Sequence, residues 1–152
     1  MILRVIIFLI INFAALGLGG LFTSKAVSAD WYLNLNKAPW TPPGWVFGAA
    51  WTLIMACFAV YMAYLWDAIQ QPKLLTLLFV VQWVLNVGWN PTFFYFHYTI
   101  IGLVVIIGLT LLITYFLFNF WNLMQLKSLL IAPYFIWLLI ATSLNAYIVF
   151  KN

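Results

Sequence analysis

The sequence predicts an all-α membrane protein: a bundle of five transmembrane helices with a lid-like first loop, in a single domain over residues 1–152. Three observations carry that expectation. The chain is 68% hydrophobic and 5% charged, more apolar surface than a soluble fold of this length can hide. Its apolar residues form five separable runs, Val5–Phe22, Trp45–Trp66, Leu74–Phe96, Tyr98–Phe118 and Leu129–Phe150, giving spans over about 5–23, 44–66, 73–96, 98–118 and 128–150. At about 1.5 Å rise per residue, each run covers a hydrocarbon layer of about 30 Å. All eight charged residues lie at the ends of these runs or between them. Lipid offers no partner for a backbone N–H or C=O, so the runs are helices. Barrel strands would alternate polar and apolar residues over about 10 positions, and these runs do not.

The first run carries Arg4 before it and Val27-Ser28-Ala29 after it, which resembles a secretory leader with its cleavage site. Its 18 residues exceed the usual leader core of about 7–15. Asn12, Gly17, Gly19 and Gly20 also suit a packed helix, so it is expected to be the first span.

The stretch Trp31–Pro43 is the one substantial non-apolar segment. It combines two Trp, a Tyr, a Lys and three Pro, more than a plain connector needs. Rings with a polar edge favour the membrane–water interface, and a lysine keeps its head in water above an apolar stem. Thr41 suits the N-cap of the second helix, and Pro42 or Pro43 its first turn. Residues 26–41 are therefore expected to form a lid over the ends of the helices they join. An ordinary interfacial anchor belt is the competing reading.

The remaining breaks are brief. Asp67–Lys73 makes a turn with Pro72 at the start of the third helix, His97 turns the chain between spans three and four, and Asn119–Lys127 joins four and five. Short loops make successive helices neighbours. With Arg4, Lys73 and Lys127 on one side and Lys25, Lys37 and Lys151 on the other, cation bias does not set the orientation of insertion.

Several chemistries are poorly supplied. The formal charge of +4 includes no basic run, so no nucleic acid is expected as a partner. Cys57 is the single cysteine and His97 the single histidine; they make no metal cluster, no intrachain disulfide and no Ser-His-Asp set. Cys57 reads as a small core residue. No Asp, Glu, Lys or Arg sits deep in a span, which argues against a proton-coupled pump.

The spans instead carry uncharged polar, small and aromatic residues at helical spacing. Span one offers Asn12, Ala15, Gly19 and Phe22; span two Gly44, Gly48, Trp51 and Met55; span three Gln82, Asn86 and Asn90, with Trp89 close to the same face; span five Pro133, Trp137, Ala141 and Asn145. Span four has Thr110 and Thr114 among aliphatic residues and is expected to be the most lipid-exposed. Pro91 and Pro133 each remove a backbone hydrogen bond and can kink a helix. One reading of the stripes is interhelical glue, since amides hydrogen-bond between helices and small residues let them approach. The other is a cavity lined by rings with a few convergent polar groups, suited to a flat, mostly apolar ligand.

Trp31-Tyr32, Lys37, Pro39-Trp40-Thr41-Pro42-Pro43 and Trp51, then Asn86-Val-Gly-Trp89-Asn90-Pro91, then Pro133-Tyr134-Phe135-Ile136-Trp137 with Ala141-Thr142 and Asn145, resemble in order the motifs of the translocator protein family (TspO/MBR, tryptophan-rich sensory proteins). The resemblance covers the whole chain. It implies a five-helix bundle, commonly a homodimer, whose ligand pocket is capped by the first loop. It implies a receptor or sensor for porphyrins such as protoporphyrin IX and haem, with no cofactor required and no metal site. Sterol-like small molecules and the lipid bilayer are further implied partners. Carried over by motif, Tyr32, Trp51 and Trp137 would flank the tetrapyrrole, and Pro42, Asn86, Trp89 and Ala141 would line the same pocket. Trp40, Asn90 and Asn145, from the same motifs, complete the expected site. The alternatives are light-dependent oxidative degradation of bound protoporphyrin IX, with Tyr32, Trp51 and Trp137 as the catalytic rings, and tetrapyrrole or sterol transport. Ala15 and Gly19 are candidates for a dimer face. Lys37-Ala38-Pro39 departs from the family pattern by placing the proline one position late. Leu144, Tyr147 and Lys151 fit a short cholesterol-contact pattern.

Overall fold

The computed structural model describes residues 1–152, and its regular structure is all helical. In chain order the helices are α1 (Ile2–Ala26), α2 (Asp30–Leu33), α3 (Gly44–Ala68), α4 (Pro72–Asn90), α5 (Thr99–Asn119), α6 (Trp121–Met124) and α7 (Ala132–Lys151). Five of them, α1, α3, α4 with its extension to Tyr95, α5 and α7, are long and apolar enough to cross a membrane. The chain is an integral, multi-pass membrane protein.

The core forms where α3 meets its neighbours. Phe58, Tyr61, Met62 and Leu65 of α3 are buried with Phe116 of α5 and Tyr134 and Leu138 of α7. Phe58 stands at the centre, edge-on to Phe116 at 6.0 Å and to Tyr134 at 5.4 Å between ring centroids. Such tilted pairs match the negative face of one ring to the positive edge of another. Several polar groups in this dry region bond across helices, while the Gln82 carbonyl oxygen has no partner. Tyr61 donates to the Phe116 carbonyl at 3.1 Å, and the Gln82 amide of α4 donates to the Tyr134 hydroxyl at 2.8 Å. Asn12 of α1 donates to the Met55 carbonyl at 3.2 Å, and the Trp83 indole donates to the Ile11 carbonyl at 3.2 Å. For Asn12 and Gln82 the glue reading of the stripes is the right one.

Two prolines act differently from each other. Pro133 falls in the first turn of α7, where its missing N–H has no partner to lose, so it starts that helix and does not kink it. Pro91 lies within a continuous span. There the helix widens into a π segment, Pro91–Tyr95, closed by the Phe96 N–H on the Pro91 carbonyl at 2.9 Å. Wide turns of this kind take up an irregularity without ending the helix.

The fourth span departs from expectation. α5 packs along both α7 and α4 and buries Gly102, Ile106, Leu109, Ile113, Phe116 and Leu117. Its apolar window is 33% buried, against 22% for those of α1 and α4. Lipid and neighbouring helices are equally apolar, so an aliphatic sequence does not distinguish the two surroundings. Thr110 contributes a contact of its own, to Thr142 of α7 at 3.0 Å.

The two ends of the bundle differ. At one, Arg4 pairs with Asp67, and the Lys127 ammonium sits 4.5 Å above the Tyr64 ring centre. At the other lies the segment between α1 and α3, which includes α2 and is fastened to the end of α7.

Candidate functional site

The α1–α3 segment is anchored at three places. Trp31 stacks on His97 with ring centres 3.9 Å apart and meets Phe93 edge-on at 5.7 Å. His97 reaches that position with a backbone φ of 56°, which turns the chain sharply between the third and fourth spans. Asn36 and Asn152 exchange hydrogen bonds: the Asn36 N–H donates to the Asn152 carboxamide at 2.8 Å, and the Asn152 amide returns to the Asn36 carbonyl at 3.3 Å. The Asn36 amide also donates to the Lys151 carbonyl at 3.1 Å. Ala38 is buried, and Thr41 closes a local turn by donating to the Ala38 carbonyl at 2.7 Å. Thr41 is therefore no N-cap; α3 starts after Pro43, with no side-chain cap. Each exposed bond contributes about 0.5–1.5 kcal/mol. Asn36→Ala is accordingly expected to raise amide hydrogen exchange over residues 30–40 about tenfold, with α5 unchanged, as read by mass spectrometry.

Beneath this segment is a cavity of about 640 Å³. That lies within the usual range of about 300–1,000 Å³ for small-molecule sites. Its walls come from the lid and from every long helix. α3 supplies Gly44, Gly48 and Trp51, with no Cβ on the glycines to fill the space. α7 supplies Trp137, Ala141 and Asn145, and α4 supplies Asn86, Trp89 and Asn90. The lid contributes Tyr32, Lys37 and Pro42. Burial raises the Tyr32 phenol above its ordinary pKa, so the hydroxyl stays a donor through neutral pH.

The polar groups in the walls fall into two kinds. Some are spent on structure. Asn145 accepts from the Trp89 indole at 3.0 Å and donates to the Thr99 carbonyl at 3.1 Å, which ties α7 to α4 and α5. Asn90 accepts from Thr23 at 2.8 Å and donates to the Asn86 carbonyl at 3.1 Å, which ties α4 to α1. Others are unspent. The Trp137 indole N–H is buried without a protein partner, although Phe47 holds the ring edge-on at 5.3 Å. That nitrogen has almost no accessible surface, like the unpartnered Gln82 carbonyl oxygen and Ser128 hydroxyl away from the cavity, so the ring face of Trp137 and not its N–H is what the cavity meets.

Nine of the ten residues expected in the site line this one cavity; Trp40 does not. Trp40 is 55% exposed, donates to Ser143 at 3.1 Å and meets Tyr147 edge-on at 5.5 Å, on the outside of α7. It behaves as an interfacial anchor, with its apolar body on a neighbour and its N–H satisfied. Ala15 and Gly19 are both buried and line the cavity, where the missing side chain of Gly19 admits Asn90 of α4. Of the cholesterol-pattern residues, Leu144 lines the cavity while Tyr147 stands outside against Trp40. Phe47, Thr23, Phe93 and Phe94 line the cavity without having been expected there. The Gly19–Thr23 spacing, one helical turn, was the available signal for Thr23.

A model of the TspO/MBR family matches residues 6–151. The chain belongs to the TspO/MBR family. Among similar members, the tryptophan-rich protein TspO of Chlorobaculum tepidum is 32% identical over 139 residues, covering 88% of this chain and 86% of that protein. The tryptophan-rich protein TspO of Archaeoglobus fulgidus is 32% identical, covering 88% and 87%. The human translocator protein is 27% identical, covering 80% and 74%. In this TspO/MBR chain the motif residues Tyr32, Trp51, Asn86, Trp89, Trp137 and Ala141 share one hollow.

Proposed function

We propose that the chain is a membrane receptor or sensor that holds a flat, largely apolar tetrapyrrole such as protoporphyrin IX in the cavity under its lid. The observation that carries this reading is the ring lining: Trp51 of α3, Trp89 of α4 and Trp137 of α7 border one hollow of about 640 Å³ under the lid. Phe93 and Tyr32 add further ring surface to the same walls. Rings match the faces of a planar macrocycle, and a few polar groups in the walls match its rim.

Titrating the purified protein in detergent with protoporphyrin IX is expected to quench tryptophan fluorescence and to saturate at one macrocycle per chain. Several indoles border the cavity, so one bound macrocycle lies near all of them. Quenching that rises linearly with added porphyrin and equals that of a membrane protein without such a cavity would show only partition into micelles, and the reading would fail.

A further inference from the structure

The cavity has one charged lining residue, Lys37, and no carboxylate lies within ion-pair distance of it. The chain holds only two acids, Asp30 and Asp67. Asp67 pairs with Arg4, and that is the one ion pair in the structure. The Lys37 ammonium donates to the Tyr32 carbonyl at 2.8 Å and the Leu33 carbonyl at 3.1 Å, at the C-terminal end of α2, and lies 4.9 Å from the Tyr32 ring centre. An ammonium has three N–H donors. Two are used on neutral carbonyls, and the third has no partner in the chain. A half-buried cation held in place by two carbonyls and a ring face, beside an otherwise uncharged cavity, is positioned to receive an anion.

We propose that Lys37 anchors a carboxylate of the ligand at the lid side of the cavity, so that the site selects flat apolar molecules carrying a carboxylate on a short arm over neutral ones of the same shape. This rests on the tetrapyrrole reading above and narrows it. The division of labour follows from the surroundings. The ring system lies among side chains of the spans, and the charged arm reaches the lid, the part of the wall outside them. A charge-assisted bond there is stronger than a neutral one, and the ammonium needs no rearrangement to make it.

The test compares protoporphyrin IX with its dimethyl ester, which has the same macrocycle and no charge, on the full chain in detergent. The native protein is expected to bind the acid roughly tenfold tighter than the ester. Lys37→Gln is expected to erase that preference by weakening the acid alone, and Lys37→Arg to keep it. Micelle partition differs between the two ligands, but it cancels in the ratio of native to variant. Equal affinity for acid and ester in the native protein, with both saturable, overturns the carboxylate anchor and leaves the tetrapyrrole reading standing. So does a preference that survives in Lys37→Gln. Equal weakening of both ligands in that variant also overturns it, because Lys37 would then act only by holding α2. If neither ligand saturates, the underlying reading fails and this inference fails with it.

Discussion

Replacing Trp51 and Trp137 together by alanine is expected to weaken protoporphyrin IX binding roughly a hundredfold, equivalent to about 2.7 kcal/mol. Trp51 reaches the cavity from α3, where it meets Tyr134 edge-on at 5.9 Å, and Trp137 reaches it from α7. Each indole offers a planar face, and an aromatic pair contributes about 0.5–1.5 kcal/mol beyond the area it buries. Truncating a core tryptophan also costs about 3–5 kcal/mol of fold stability. Here both rings border the cavity, so the deleted volume enlarges an existing hollow and the cost is expected near the low end. Thermal melts in detergent check that the double variant still folds. Trp137→Phe keeps a ring at the wall, so its loss of affinity should be no more than about tenfold. Unchanged affinity in the folded double variant would remove both rings from the site.

The span number was legible from five contiguous apolar runs, and most of the cavity wall from helical periodicity. A helix repeats every three to four residues, so Gly44, Gly48 and Trp51 had to share a face, as did Trp137, Ala141 and Asn145. Periodicity does not say what a face meets. Gln82, Asn86 and Asn90 lie on one stripe, yet Gln82 is locked to Tyr134 in the dry core while Asn86 and Asn90 border the hollow. The difference is depth along α4: Gln82 is level with the Tyr134 hydroxyl, and Asn86 and Asn90 are level with the cavity. The same limit governs α5, whose aliphatic face reads alike whether it meets lipid or α7. Trp40 and Tyr32 show it within the lid. Both are interfacial rings in one proline-rich motif, but the turn closed by Thr41 on Ala38 separates them, and Trp40 lies outside α7 while Tyr32 lies over the cavity. Phe93 and Phe94 were hidden for another reason. They belong to the π segment after Pro91, where ordinary helical spacing no longer predicts which way a side chain faces.

Gly19→Val is expected to lower the stability of the folded bundle by about 3 kcal/mol, measured as unfolding in mixed detergent. A Cβ at position 19 would lie 2.7 Å from the Asn90 amide nitrogen and 3.1 Å from its Cγ. An asparagine end can usually swing aside at little cost. This one shares the Thr23 hydroxyl proton with the Gly19 carbonyl and donates to the Asn86 carbonyl of its own helix, so moving it loses both bonds, of which the Thr23 contact joins α1 to α4. If that collision is the cause, removing the obstructing carboxamide should relieve it. Asn90→Ala alone loses the Thr23 bond, and Gly19→Val added to Asn90→Ala should then cost less than about 1 kcal/mol. The cycle should therefore show a coupling of about 2 kcal/mol between residues on different spans. Additive losses would mean that valine harms α1 for reasons unconnected with Asn90, and that the close approach of α1 to α4 does not depend on the missing side chain.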